Sequence, residues 1–189
     1  MDSLQARKAL LRAARMKAGL ALDVGMGDCA CMSFVLAAAG FDVIGIDTSS
    51  QAIHGARASA GKQTFKGSFI ARRANAERMP FGDGEFDVVL AYRSLHHAKN
   101  VERVLHEMHR VCRAGGDLLI AELNDGGRRK FEHPLDDGAL LLKIKKTLQS
   151  LGCSAKEVEM KHHTLFVSHK GPQSVLLEKQ EVMDVVLVS

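Results

Sequence analysis

The sequence has 189 residues, of which 46% are hydrophobic and 25% charged, and its net charge is +4. These values are typical of a globular domain and exclude a disordered chain, while so small a net charge does not by itself indicate nucleic-acid binding. No apolar run reaches the ~18 residues of a membrane span, and no secretory signal is visible. We therefore expect one domain, located in the cytoplasm.

Helical and strand patterns alternate along the chain, which predicts an α/β domain around a mainly parallel sheet. Helices are predicted at residues 3–17, 30–39, 50–58, 101–112 and 141–151. Strands are predicted at 20–24, 43–47, 69–73, 86–91, 118–121, 158–160 and 164–167, with a turn at Gly115 and Gly116. The single domain over residues 1–189 would comprise the short N-terminal helix at 3–17, a core at 20–169 and a tail at 172–189 without an assigned element.

The junction between the first strand and the next helix carries two glycines, Gly25 and Gly27. Glycine lets the backbone turn sharply and lie against a ligand, and the helix behind it offers unpaired N–H groups. In open parallel sheets, ligands bind at the carboxyl ends of the strands, where this turn would lie. With Ala30, the spacing also satisfies the dinucleotide pattern GxGxx(G/A), although a tight turn without a ligand would carry the same glycines.

The second strand ends at Asp47, twenty residues beyond Gly27. A carboxylate there can accept hydrogen bonds from two adjacent ribose hydroxyls, an arrangement that serves NAD and S-adenosylmethionine (SAM) alike. Asp47 could instead cap the helix that follows. Together, the glycine turn and Asp47 predict a nucleoside site.

Four segments decide between these cofactors, because as a set they resemble the class I SAM-dependent methyltransferases. The resemblance is closest to methyltransferase type 11, the group that includes the ubiquinone and menaquinone biosynthesis methyltransferases. The segments are 22–27 (LDVGMG), 43–49 (VIGIDTS), 75–81 (NAERMPF) followed by 86–89 (FDVV), and 95–97 (LHH) followed by Glu107, Arg110, Val111, Gly115 and Gly116. The third and fourth segments are not expected in a NAD-binding domain.

The resemblance implies a Rossmann-like fold, with a seven-stranded, mostly parallel sheet, an antiparallel last strand and helices on both faces. It also implies SAM as the cofactor, with S-adenosyl-L-homocysteine (SAH) as its product. The family motifs place the cofactor contacts at Asp23, Gly25 and Gly27 for the methionine part, at Asp47 for the ribose, at Thr48 beside the adenine, and at Asn75 and Ala76 on the adenine edge.

The stretch that begins at Ala91 would border the sulfonium and the acceptor, with Tyr92, Arg93 and His96 as pocket residues. Methyl transfer is an in-line displacement, so the protein mainly aligns the reactants. A base is needed only where the attacking atom carries a proton of high pKa, and His96 or His97 could then serve because histidine titrates near neutrality. Alternatively, one histidine packs under the helix and the other shapes the pocket.

The chain departs from the family at three points. Cys29 stands where the family usually has a third glycine, and Asn75 where it often has aspartate. A cysteine is small enough to leave the loop open, and an amide still hydrogen-bonds adenine. The region before the first strand has room for one helix at most, although this region often covers the substrate in the family. The short lid implies an open acceptor site, a large substrate, or a protein partner that completes the pocket.

The acceptor is expected to be a small molecule. Methylation of a nucleic-acid base at an exocyclic nitrogen usually comes with a (D/N/S)PP(Y/F) motif, where this chain reads AYRS at 91–94, and no basic stripe with interleaved aromatics is present. No metal is expected, because the four cysteines have no zinc spacing and the clustered histidines lack an acidic or cysteine partner.

Two other functions stay open at this point. A non-catalytic subunit with the methyltransferase fold would bind SAM or nothing and support a protein partner, which the short lid and Cys29 allow. A NAD-dependent oxidoreductase would use the GxGxxA match and Asp47, but it needs a substrate domain for which the chain has no room. The apolar part of the tail, at 174–186, would suit an oligomer contact.

Overall fold

The computed structural model describes residues 2–136 and 138–171 of the chain. Its strands are β1 (Gly19–Val24), β2 (Phe41–Asp47), β3 (Ser68–Arg73), β4 (Phe86–Tyr92), β5 (Cys112–Leu123), β6 (Ala155–Glu159) and β7 (His163–His169). Its helices are α1 (Asp2–Ala13), α2 (Cys31–Ala39), α3 (Ser50–Ala60), α4 (Val101–Val111), α5 (Asp125–Lys130) and α6 (Ala139–Ser150), with a 3-10 turn at Leu95–His97.

The seven strands form one sheet in the order β3-β2-β1-β4-β5-β7-β6. The first five strands of this order are parallel, and β7 runs antiparallel to both β5 and β6. The predicted Rossmann-like fold with an antiparallel last strand is therefore confirmed. Because the parallel strands end at the same edge, the segments after β1, β2, β3, β4 and β5 meet there, which is where open sheets of this kind bind ligands.

Both faces of the sheet are covered, so the central strands carry apolar residues on both faces. In β4, Val89 and Ala91 pack with α4 and α6 on one face, whereas Val88 and Leu90 pack with α1 and α2 on the other. Helix α3 lies over β2 and β3 on the same face as α2. The continuous apolar run of β4 thus reflects burial on both sides.

The N-terminal helix is shorter than predicted, since α1 ends at Ala13 and the periodicity predicted a helix to residue 17. The carboxylate of Asp117 terminates it: this fully buried group accepts hydrogen bonds from the backbone N–H groups of Arg15 (2.7 Å) and Met16 (3.3 Å). A buried carboxylate requires such donors, and their positions are incompatible with continuing the helix.

The expected turn at Gly115 and Gly116 is wrong in detail, because both glycines lie within β5. The pairing with β4 passes from Phe86–Cys112 to Val88–Asp117, so β5 advances five residues while β4 advances two. Gly115 has a φ of 75°, and a Cβ on Gly116 would lie 2.8 Å from the carbonyl oxygen of Asp87. The glycines therefore form a bulge that bends the strand.

Helix α5 was not predicted, and it begins where the side chain of Asn124 accepts a hydrogen bond from the N–H of Gly127 (2.9 Å). None of the described helices has the length and apolar character that crossing a bilayer requires. The tail at 172–189, with the oligomer contact expected at 174–186, lies outside the described residues.

Candidate functional site

A cavity of about 660 Å³ opens at the carboxyl edge of the sheet, between the segments that follow β1, β2, β3 and β4. Its volume lies in the range of roughly 300–1,000 Å³ that is usual for small-molecule sites. Eight of the predicted site residues line it: Gly25, Gly27, Asp47, Thr48, Asn75, Ala76, Arg93 and His97. Site residues predicted from separate parts of the sequence thus line one cavity.

The turn after β1 needs both of its glycines. Gly25 and Gly27 have φ angles of 73° and 66°, in the left-handed region that favours glycine. A Cβ on Gly25 would lie 2.5 Å from the Cβ of Ser94, whereas a Cβ on Gly27 would have no atom within 4 Å. Gly25 therefore lets the turn approach β4, and Gly27 presents bare backbone to open space at the cavity wall.

Asp47 occupies the wall next to this turn. Its Oδ2 accepts a hydrogen bond from the N–H of Gly27 (3.1 Å), and its Oδ1 accepts one from the N–H of Ser49 (2.9 Å). Ser49, rather than Asp47, caps α3, because its hydroxyl accepts from the N–H of Ala52 (3.2 Å). The helix-cap interpretation of Asp47 is therefore wrong, and each carboxylate oxygen keeps acceptor capacity toward the cavity.

The segment after β3 forms the opposite end of the wall. The Oδ1 of Asn75 accepts from the N–H of Glu77 (2.9 Å), and Glu77 in turn accepts from the N–H of Asn100 (3.0 Å). These bonds fix Asn75 and Ala76 against the start of α4. Glu77 and Lys99 also line the cavity and were not predicted; they lie in loops that carry no periodic pattern.

The replacement of the third glycine by Cys29 does not strain the loop. Cys29 is exposed and does not have a positive φ; the left-handed residue is Ala30, with a φ of 41°, at the start of α2. Cys29 is also absent from the cavity wall. The departure from the family pattern thus leaves both the turn and the cavity intact.

Three predicted site residues lie behind the wall rather than in it. The carboxylate of Asp23 is buried and accepts a hydrogen bond from the hydroxyl of Ser33 (2.6 Å), and burial raises its pKa to about 6. Ala91 is fully buried inside β4. Tyr92 points to the opposite face of the sheet, because side chains alternate along a strand, and its ring stacks on His163 at 5.9 Å.

His96 also lies outside the wall, against Glu122 at the carboxyl end of β5. Glu122 is fully buried; its Oε1 accepts from the N–H of Leu95 (2.7 Å), and its Oε2 lies 2.8 Å from Nδ1 of His96. Sequence reasoning missed Glu122, although a carboxylate directly after the apolar run 118–121 at a strand end was a usable signal.

Three imidazoles cluster beside Glu122. The ring of His96 lies 4.0 Å from that of His97 and 4.9 Å from that of His133, between centroids. His97 lines the cavity, and its pKa is lowered by burial first and then by the neighbouring His96. The lowered pKa favours the neutral form of His97, the form in which an imidazole accepts a proton.

Arg93 completes this side of the cavity in a strained conformation. Its φ is 54°, which is unusual for a residue with a Cβ, and its N–H donates to the carbonyl oxygen of Ala121 (2.8 Å). The guanidinium lies 4.2 Å above the ring of Phe131. Strain of this kind tends to occur at functional sites.

The N-terminal helix does not cover the cavity: α1 packs on β5, β7 and α2, and none of its described residues lines the wall. Within residues 2–136 and 138–171, no group of three or more histidine, cysteine, aspartate or glutamate side chains is arranged to hold a metal ion. The site is an open cavity lined by backbone, two carboxylates, one imidazole, one lysine and one arginine.

Comparison with known proteins gives a consistent result. A family model described as a methyltransferase domain matches residues 22–120. The chain is 29% identical to the O-methyltransferase cnsE of Penicillium expansum, over 73% of this chain and 48% of that protein. It is 31% identical to the ubiquinone/menaquinone biosynthesis C-methyltransferase UbiE of Geobacter sp. (strain M21), over 57% of this chain and 46% of that protein. The chain thus spans about half the length of these relatives.

Solved structures show the same fold. A SAM-dependent methyltransferase from Aquifex aeolicus superposes with a TM-score of 0.70 at 18% identity, covering 87% of this chain and 88% of that one. At this identity the likeness concerns the fold alone.

Proposed function

The chain belongs to the methyltransferase domain family, type 11 of the class I SAM-dependent methyltransferases, and on that premise we propose that it transfers the methyl group of SAM to a small-molecule acceptor. One observation carries the proposal: the Gly27 turn and the Asp47 carboxylate are joined by a hydrogen bond in the wall of one cavity at the carboxyl edge of the sheet.

The residues present fit the cofactor. Gly27 offers bare backbone with open space before it, and Asp47 offers two acceptor oxygens for ribose hydroxyls. Asn75, Ala76 and Thr48 line the part of the cavity proposed for the adenine. Asp23 is buried, so we assign it to holding the turn through Ser33 rather than to direct contact.

When bound, SAM supplies a methyl group already activated by its sulfonium, so the protein has to align the acceptor and exclude water. His97 is the candidate base for an acceptor that carries a proton, because it lines the cavity and its pKa is lowered. Glu122 and His96 are positioning residues in this proposal: Glu122 fixes His96, whose ring lies against that of His97.

The small-molecule acceptor is supported by two observations. The cavity has the size of a small-molecule site, and the UbiE relative is named for ubiquinone and menaquinone biosynthesis. One relative is named as an O-methyltransferase and the other as a C-methyltransferase. The atom that receives the methyl group therefore differs between these relatives and depends on the acceptor site of each protein.

Calorimetric titration of the purified chain with SAM, SAH and NAD tests the proposal. We expect SAM and SAH to bind, NAD not to bind, and Asp47→Ala to weaken SAH binding by at least about ten-fold, since it removes the proposed ribose acceptor. Asp42→Ala is the matched control, because Asp42 is an exposed carboxylate at the other end of the same strand. Binding of NAD without SAM or SAH would contradict the proposal.

A further inference from the structure

The two ends of the cavity differ in charge. Asp47 and Glu77 follow β2 and β3, whereas Arg93 follows β4. Since β1 lies between β2 and β4, and neighbouring strands are about 4.8 Å apart, the backbone positions that follow β2 and β4 are separated by roughly 10 Å across the cavity. Lys99 also lines the cavity and adjoins Asn100, whose backbone N–H donates to Glu77, so the Lys99 backbone lies near Glu77.

The guanidinium of Arg93 is held in place by an aromatic ring but forms no ion pair with a described residue. Phe131 supports one face of its guanidinium, and no described residue forms an ion pair with the guanidinium or accepts from the guanidinium N–H groups. Arg128, in the nearby α5, is different: it is bonded to Asp136 (2.8 Å) and to the carbonyl oxygen of Pro134 (2.7 Å). Stacking leaves the in-plane N–H edge of a guanidinium available, and that edge matches the two oxygens of a carboxylate.

The groups around Arg93 do not neutralise it. His97 lines the cavity, and the ring of His133 lies 6.3 Å from that of His97 between centroids. The pKa of His133 is lowered by burial first, then by His96 and by Arg93 itself. Glu122 is the nearby carboxylate, but it is buried and already occupied by Leu95 and His96. The guanidinium of Arg93 therefore has no ion-pair partner among the described residues.

From this arrangement we propose that Arg93 binds a carboxylate of the acceptor, so that the acceptor is a small organic acid. The inference rests on the proposed function, since it assigns the acceptor class of the same site. An anionic group at Arg93 would complete the ion pair and would hold the acceptor opposite the Gly27 turn and Asp47, at the end of the cavity away from the ribose.

The test uses the complex with SAH and a panel of matched acid and amide pairs: benzoate with benzamide, 2-hydroxybenzoate with 2-hydroxybenzamide, and indole-3-acetate with indole-3-acetamide. Each pair differs in charge and hardly in shape. Binding is measured by calorimetry for the wild-type chain, Arg93→Met and Arg72→Met. Arg72 is the matched control, because its guanidinium also stacks on a phenylalanine, Phe81 (5.3 Å), but does not line the cavity.

We expect at least one acid to bind about ten-fold or more tightly than its amide, with the preference lost in Arg93→Met and kept in Arg72→Met. No preference for the acid in any pair would overturn the inference, as would a preference that survives Arg93→Met or tighter binding of inorganic phosphate than of every acid. SAH affinity separates the two proposals. If the wild-type chain does not bind SAH, the proposed function fails; if SAH binds normally to all three proteins and no acid is preferred, only the acceptor class fails.

Discussion

The Oδ2 of Asp47 accepts a hydrogen bond from the backbone N–H of Gly27 over 3.1 Å, although the two residues lie on different strand ends. The bond joins the turn after β1 to the end of β2, and a second bond from Ser49 holds the other carboxylate oxygen. Asp47 is therefore fixed in place before any ligand arrives. Preorganisation of this kind reduces the entropy lost on binding.

The two glycines of the turn should respond differently to alanine. Gly25→Ala brings a Cβ to 2.5 Å from that of Ser94 in a left-handed conformation, so we expect the free energy of unfolding to fall by more than about 2 kcal/mol. Gly27→Ala meets no atom within 4 Å and should cost about 1 kcal/mol, but its methyl enters the ligand space and should weaken SAH binding. Urea denaturation and calorimetry measure both effects. Equal destabilisation with unchanged SAH affinity would contradict this division.

Asp23 should make the protein less stable as the pH rises from about 4 to about 6. Burial raises its pKa from an ordinary 3.8 to about 6, so over this window the folded chain keeps a proton that the unfolded chain has released. Asp23→Asn removes this dependence and should gain about 3 kcal/mol relative to the wild type between pH 4 and pH 7. Urea denaturation at several pH values measures it, with Asp42→Asn as the exposed control. A wild-type-to-variant difference that stays constant with pH would refute the assignment.

Glu122 should contribute to stability through its two buried partners. Glu122→Ala leaves the N–H of Leu95 and Nδ1 of His96 without their acceptor, so we expect a loss of about 2 kcal/mol. Glu122→Gln should cost less, because an amide oxygen still accepts one of the bonds. Glu157→Ala removes an exposed carboxylate paired with Lys145 and should change stability by less than about 1 kcal/mol. Nitrogen NMR of His96 should show a proton on Nδ1 in the wild type; its absence would contradict the pairing.

Asp117, in the middle of β5 next to the bulge, should affect stability without affecting the ligand site. It holds the N–H groups of Arg15 and Met16 and the Nδ1 of His169, and thereby fixes the end of α1 to β5 and β7. Asp117→Ala should lower the free energy of unfolding by about 3 kcal/mol and speed hydrogen exchange in α1. SAH affinity should stay at the wild-type value, because the site lies at the other sheet edge. Slower or unchanged exchange in α1 would count against this role.

Much of the fold could be predicted from the sequence because its signals are local. The strand β4 contains the apolar run 88–91, and α4 carries apolar residues at helical spacing; each pattern reports burial directly. The sheet order and the antiparallel β7 came instead from the resemblance in the motifs, since pairing between distant strands leaves no local trace.

Elements that depend on tertiary contacts could not be predicted. Helix α5 has the sequence DGGRRK, which shows no periodicity and contains two poor helix formers. It forms because Asn124 caps it and because the backbone of Gly127 packs against the carbonyl of His162, where no side chain fits. The early end of α1 has the same origin, since it depends on Asp117, about one hundred residues away in the chain.

Whether a predicted site residue lines the cavity depends on the backbone at some positions and on side-chain direction at others. Gly25, Gly27 and Asp47 are fixed by the turn and the strand end, and they line the cavity. Tyr92 and Asp23 lie in strands that end at the cavity. Side-chain alternation directs Tyr92 to the opposite face of the sheet, and Asp23 is buried.

A crystal structure of the chain with SAH tests the central claim most directly. We expect the nucleoside to lie in the cavity at the carboxyl edge of the sheet, with both ribose hydroxyls bonded to the carboxylate of Asp47 and the Gly27 N–H still donating to Asp47. SAH bound elsewhere, or bound here with its ribose out of hydrogen-bonding reach of Asp47, would contradict it.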